Sequence, residues 1–224
     1  MAIPLLEAVD LQGKDVTADA LLTQRELATY LVEKRQAHYY FTVKGNQPRL
    51  LEDLTVYFRD RGQPQFVEQT PPDHGRIESR RIWTTTELND YLDFPHVRQA
   101  YRVERHSTDK KTGKCSREIA YGITSRSPEQ ANSQHVLRVN RGHWAIENSC
   151  HYILDWTYDE DRSRIRTGHG PENMTRLRRF AIGLIKSKGV RSAPQKMREL
   201  TRNVRLVLDY LRMTENSCAH CVRT

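Results

Sequence analysis

The sequence predicts an α/β protein on three observations. Short runs rich in β-branched and aromatic residues alternate with helix-periodic runs over the first 58 residues. Three longer β-rich stretches follow, separated by turn residues, and from Ser127 onward apolar residues recur at helical spacing. Strands alternating with helices argue for an α/β layer, and β-rich runs joined by turns argue for a meander.

Each element has its own local reason. Pro4 to Leu11 is a short helical candidate, Val16 to Ala20 a strand, and Thr23 to Lys34 a helix with Thr23 or Gln24 near its cap. His38 to Val43 (HYYFTV) is a β-rich run ended by Gly45. Gln47 to Phe58 restores helical periodicity through Leu50, Leu51, Leu54 and Tyr57. Gly and Pro clusters in RGQPQFVEQTPPD (61–73) punctuate the chain. Beyond them Arg76 to Thr86, Val97 to Ser107 and Ser116 to Ser125 read as strands, the last two joined by a hairpin in which Gly113 supplies a positive φ. Pro128 to Asn140, Gly142 to Trp156, Pro171 to Lys186 and Pro194 to Leu211 read as helices, with Pro128 and Pro171 at favourable first-turn positions. The divisions that follow are an α/β part over 1–60, a β-rich insertion over 61–126, a helical part over 127–212 and a tail over 213–224.

Composition narrows the function. With 37% hydrophobic residues in 224, the chain can bury a sizeable core. No run approaches the roughly 18 consecutive apolar residues of a membrane helix. The first residues lack the basic n-region of a signal peptide, so the cytoplasm, including a bacterial nucleoid, is the expected compartment. The net charge of +8 is uneven: residues 138–212 hold 16 basic and 8 acidic residues, whereas residues 1–137 hold 19 of each. A basic face there is a nucleic-acid footprint or a solubilising surface. Reduced thiols are expected at Cys115 and Cys150, and Cys218-Ala-His-Cys221 offers three zinc-type ligands where about four are needed, which favours free tail thiols.

The run RGHWAIENSCHYILD (141–155) is the most informative stretch. Trp144, Ile146, Ile153 and Leu154 recur near helical spacing and could bury one stripe, holding Glu147 at the edge of a core. Periodicity alone favours an ordinary amphipathic helix with a solvated glutamate. On the run Pro171 to Lys186, Met174, Leu177, Ala181, Leu184 and Ile185 form a core stripe, while Arg176, Arg178 and Arg179 project elsewhere and suit phosphate contact.

RGHWAIENSCHYILDWTYDEDRSRIR followed by GPENMTRLRRFAIGLIK resembles the C-terminal catalytic block of ISAs-type, or H-repeat-associated, insertion-sequence transposases, a branch of the IS4-like DDE transposases. VTADALLTQRELA (16–28), YYFTVKGNQPRLLEDL (39–54) and HGRIESRRIW (74–83) fit the same pattern in the same order, so the resemblance covers the chain from about Ile3 to about Ser217. It implies a ribonuclease-H-like catalytic domain with an antiparallel β insertion and a helical C-terminal part. In such a domain three carboxylates hold two magnesium or manganese ions about 3.5–4 Å apart for in-line phosphodiester transfer. Carried over residue by residue, Asp19 is the second aspartate and Glu147 the glutamate, both as catalytic and metal-binding residues. The family's first aspartate, on a strand reading approximately Ala-Ile-Asp-Gly-Lys, has no counterpart here, so the chain is expected to be N-terminally truncated and inactive alone. Asp10 and Asp15 are expected in a helix-to-strand connection that cannot replace that strand.

Related transposases place an arginine four residues before the glutamate and a lysine seven after it. Here those positions are His143 and Leu154, with Arg141 as the alternative charge. Lys44, after a strand and before Gly45-Asn46-Gln47, is either a solvated turn lysine or a group reaching a phosphate or the metal carboxylates. The expected DNA-contacting set is Lys44, Arg141, His143, Arg176, Arg178 and Arg179. The implied partner is double-stranded DNA at insertion-sequence ends, with a homodimer as an open assembly state and no membrane. The reading from another class is a non-catalytic DNA-binding or partner-binding relic of a decayed element.

Overall fold

The structure, a computed structural model, describes residues 2–73, 75–143, 152–190 and 192–214. The chain divides into two compact units, Met1–His143 and Trp144–Thr224.

The first unit starts with α1 (Ile3–Leu6) and β1 (Asp15–Ala18), then a short 3-10 turn (Ala20–Leu22). α2 (Arg25–Thr29) runs on as a π-helical turn (Tyr30–Lys34) into β2 (His38–Val43) and α3 (Pro48–Phe58). The meander is β3 (Phe66–Asp73), β4 (Arg76–Thr85), β5 (Gln99–Asp109) and β6 (Cys115–Thr124), and α4 (Ser133–His143) follows. All strands join one six-stranded sheet in the order β1-β2-β6-β5-β4-β3. β1 and β2 are parallel, as the helical crossover between them demands, and the other pairs are antiparallel. The meander therefore extends the α/β layer directly, with Phe41 of β2 opposite Ile123 of β6.

Both faces of the sheet are covered, which explains why HYYFTV is apolar almost throughout. Successive side chains alternate between faces. Tyr39, Phe41 and Val43 pack with Leu27 and Leu31 of the α2 segment and Leu54 and Phe58 of α3, whereas Tyr40 joins Ile82, Tyr101 and Val103 against Val136 and Leu137 of α4. Each fully buried aliphatic or aromatic side chain contributes about 1.5–3 kcal/mol. Gly122 is required on the α4 side, because a methyl group there would overlap the Tyr101 ring.

Several local expectations change. Residues 66–73, read as punctuation, form the edge strand β3; its prolines fall within a register shift between Thr70 and Asp73, at a sheet edge where a missing N–H is tolerated. Asp15 is the first residue of β1 rather than part of a connection, and Asp19 lies just beyond the strand. Thr23 is no side-chain cap for α2: it is buried, and its hydroxyl donates to the Thr42 carbonyl at 2.8 Å. Cys115 is a free thiol, as expected, but exposed. Gly113 has the expected positive φ, 68°.

In the second unit a π-helical turn (Ile153–Thr157) precedes α5 (Gly170–Ser187), α6 (Ala193–Arg202) and α7 (Val204–Tyr210). Ile153, Leu154, Ile182, Ile185 and Ala193 make its core. The run read as one helix from Pro194 breaks at Asn203, whose extended backbone (φ −142°) and side-chain oxygen cap α7 by accepting from the Arg205 and Leu206 amides. The inward stripe of α5 also differs from the expected one, since Leu177 is 61% exposed and Ile182 is buried.

Candidate active site

In a sheet with parallel strands, functional side chains collect at the strands' carboxyl ends. Asp19 stands at that end of β1 and Lys44 at that end of β2, with Lys44 Nζ 3.9 Å from Asp19 Oδ1 and both side chains about two-thirds exposed. Asp19 Oδ1 also accepts from the Ala20 amide at 2.6 Å, which ends the strand and starts the 3-10 turn. The loop after β2 is tied to that turn: Asn46 Nδ2 donates to the Ala20 carbonyl at 2.5 Å and Gln47 Nε2 to the Thr23 carbonyl at 2.9 Å. These two amides went unrecognised as supports of Asp19. The signal available for them was their place directly after a strand and Lys44-Gly45.

α4 brings a second element to the same strand. His143 Nδ1 lies 3.1 Å from the Thr17 hydroxyl, two residues before Asp19. Arg141 Nη1 instead donates to Glu68 of β3 at 3.1 Å. Glu147 falls outside the described residues, as do Trp144, Cys150, His151, Cys218 and Cys221. On α5, Arg176 pairs with Glu172, Arg179 is exposed, and Arg178 lies on the inward side, 13% exposed and 3.8 Å from Glu160.

Asp19 offers a hard carboxylate oxygen, the donor type that magnesium and manganese take, and the Lys44 ammonium 3.9 Å away competes with a cation for it. Among the described residues no group of three or more His, Cys, Asp or Glu side chains could hold a metal ion. No described helix is long and apolar enough to cross a membrane. An open cleft of about 570 Å³ lined by Phe66, Glu68, Asn132, His135 and Arg138 contains none of the sequence-predicted site residues.

The strongest electrostatics lie elsewhere, on β5. Glu104 is buried and accepts from Arg117 Nε at 2.8 Å, Arg117 Nη2 at 2.9 Å, His106 Nε2 at 2.5 Å and Arg102. Hydrogen bonding by Arg117, working against burial and reinforced by His106 and Arg102, holds its carboxyl down to about 2. Every acceptor position is used by the protein itself, so this acid is structural. Burial pushes the Tyr40 phenol up to about 12, with the Asp15 carboxylate adding to the effect.

A mixed six-stranded sheet with helices on both faces and an acid at the carboxyl end of a parallel strand defines an α/β fold of the ribonuclease-H-like transposase type. The family described as Transposase DDE domain matches residues 1–184, and the chain belongs to it. The chain is 29% identical over 231 residues to YncI of Escherichia coli O157:H7, provisionally named a transposase, covering 97% of this chain and 57% of that protein. It is 27% identical over 199 residues to the H repeat-associated YhhI of Escherichia coli K12, named in the same provisional terms, covering 82% of this chain and 50% of that one. An uncharacterized protein from the dhlA 3′ region of Xanthobacter autotrophicus is 34% identical over 136 residues, 57% of this chain and 45% of its own length. The chain spans about half the length of the curated relatives it matches.

Proposed function

We propose that this chain supplies two of the three metal carboxylates of a transposase that cuts and joins insertion-sequence ends, with Asp19 as the second aspartate and Glu147 as the glutamate. The supporting observation is the convergence on β1: Asp19 follows the strand with Lys44 beside it, and α4 ends at His143, bonded to Thr17 and four residues before Glu147 in sequence. A bound divalent ion would supply Lewis-acid stabilisation of phosphodiester oxygens and activation of the attacking hydroxyl. The chain's own part is positioning: Asn46 and Gln47 hold the turn after Asp19, and Lys44 offers a phosphate its charge while balancing the aspartate. Arg176 and Arg179 are the phosphate contacts proposed for α5. Arg176 has its partner Glu172 on the open surface, the two side chains 72% and 56% exposed, whereas Arg178 is 13% exposed beside Glu160, and Arg141 and His143 are bonded to Glu68 and Thr17.

Manganese titration of the purified chain followed by electron paramagnetic resonance tests the site. Saturable binding is expected, lost in Asp19→Asn and in Glu147→Gln; binding that survives both substitutions refutes the assignment. With Asp19 and Glu147 read as two of three required carboxylates, no strand transfer is expected from these 224 residues alone in magnesium or manganese. Metal-dependent transfer abolished by Glu147→Gln would show the set to be complete. For DNA, affinity should fall with salt at about −0.9 per phosphate contacted, and Arg176→Ala with Arg179→Ala should flatten that slope. An unchanged slope removes α5 from the interface.

A further inference from the structure

Asp15, at the opposite end of β1 from Asp19, is the centre of a polar cluster that neither the proposed chemistry nor the core explains. Arg126, just after β6, donates from Nε to Asp15 Oδ1 at 2.7 Å and from Nη2 to the Gly13 carbonyl at 2.9 Å. His135 Nε2 lies 3.3 Å from Asp15 Oδ2, and Arg138 Nη2 lies 2.9 Å from His135 Nδ1. A guanidinium can only donate, so Nδ1 accepts and the imidazole carries its proton on Nε2, where it donates to Asp15. The side chains of Arg126, Asp15 and His135 are 19%, 21% and 30% exposed, which keeps water from competing freely for these bonds.

We propose that Asp15, Arg126, His135 and Arg138 form a latch that sets the height of α4 along β1, and with it the point at which α4 arrives beside Thr17 and Asp19. The inference rests on the reading of Asp19 as a metal ligand, and it makes His135 a positioning residue. α4 meets β1 twice in the same order, His135 at Asp15 and then His143 at Thr17, so helix and strand run in the same sense. Eight helical residues advance about 12 Å. The apolar contacts of Val136 and Leu137 choose which face of α4 meets the sheet, but they are non-directional and permit sliding along it. Hydrogen bonds with fixed donors and acceptors do not. The polar cluster at the far end of the helix therefore governs the register at its near end.

The test compares His135→Leu, which removes donor and acceptor, with His135→Gln, which retains an amide donor for Asp15 and an oxygen for Arg138. Two readouts are taken on the full chain: amide hydrogen exchange of residues 140–143, and manganese affinity. His135→Leu is expected to lose protection in that last turn of α4 and to weaken manganese binding relative to the unsubstituted chain. His135→Gln should restore both. A wild-type chain that binds no manganese would defeat the reading of Asp19 while the exchange measurement still decides the latch. A folded His135→Leu with unchanged protection overturns the latch, as does a His135→Gln as impaired as His135→Leu. Should His135→Leu fail to fold, Arg138→Met carries the test: lost protection supports the latch and unchanged protection overturns it.

Discussion

Asp15 and Asp19 stand at the two ends of one four-residue strand and are held in opposite ways. Asp15 is 21% exposed, with a separate side chain on each carboxylate oxygen, from elements more than 100 residues away in sequence. Asp19 is 68% exposed and has one neighbouring amide and a lysine at 3.9 Å. An acid whose oxygens are all used by the protein stabilises it; an acid left open at the carboxyl end of a parallel strand is available to a ligand. The difference separates two residues of the same type by what each can still bind.

The largest effect should come from an acid more heavily partnered than either. If partner number and burial set the cost, Glu104→Ala, which strands the buried Arg102, should lose about 3–5 kcal/mol in urea unfolding. Its folded value lies below its unfolded one, so its contribution is full above 4.5 and is lost as pH falls towards about 2. A loss smaller than that of Asp15→Ala would break the ranking.

Next comes the pair itself. Asp15→Ala leaves Arg126 Nε and His135 Nε2 without their acceptor and should cost about 1–3 kcal/mol. Asp19→Asn keeps the oxygen that caps the turn and should stay within about 0.5 kcal/mol. Equal losses, measured by the same unfolding titration, would erase the distinction.

The smallest effect is a pH dependence confined to the Asp15 end. Burial, with the nearby Arg126 charge, lowers the His38 value below 6.5. Unfolded His38 takes up a proton that the folded form resists, so stability should fall as pH drops through 6.5 and below. His38→Gln should flatten that fall, whereas Asp19→Asn should leave it as it is. Unfolding midpoints measured across pH 5 to 8, at about half-unit steps, check both.

What was legible in the sequence was local. HYYFTV, the Leu50-Leu51-Leu54-Tyr57 spacing and the Gly113 turn declare their elements within a few residues, and Asp19 could be placed at a strand end from its immediate neighbours. β3 was missed because two prolines read as a break unless the strand is known to lie at an edge, and edge position is a property of the whole sheet. Arg178 was placed outward because its partner Glu160 comes from a different segment, and the inward stripe of α5 runs through Ile182 and Ile185, leaving Leu177 exposed.

The alternation of elements, the turn residues, the basic excess over residues 138–212 and the family resemblance, which the Transposase DDE domain match over residues 1–184 bears out, were readable in the chain alone. That β6 lies beside β2, that Asp15 is consumed while Asp19 stays open, and that His143 meets Thr17 emerge once the chain is folded. The reason is range. Helix and strand periodicity are written by neighbours a few residues apart, whereas the bonds that hold Asp15 and bring His143 to Thr17 join residues 111, 120 and 126 positions apart. Such bonds exist only once sheet order and helix register are set.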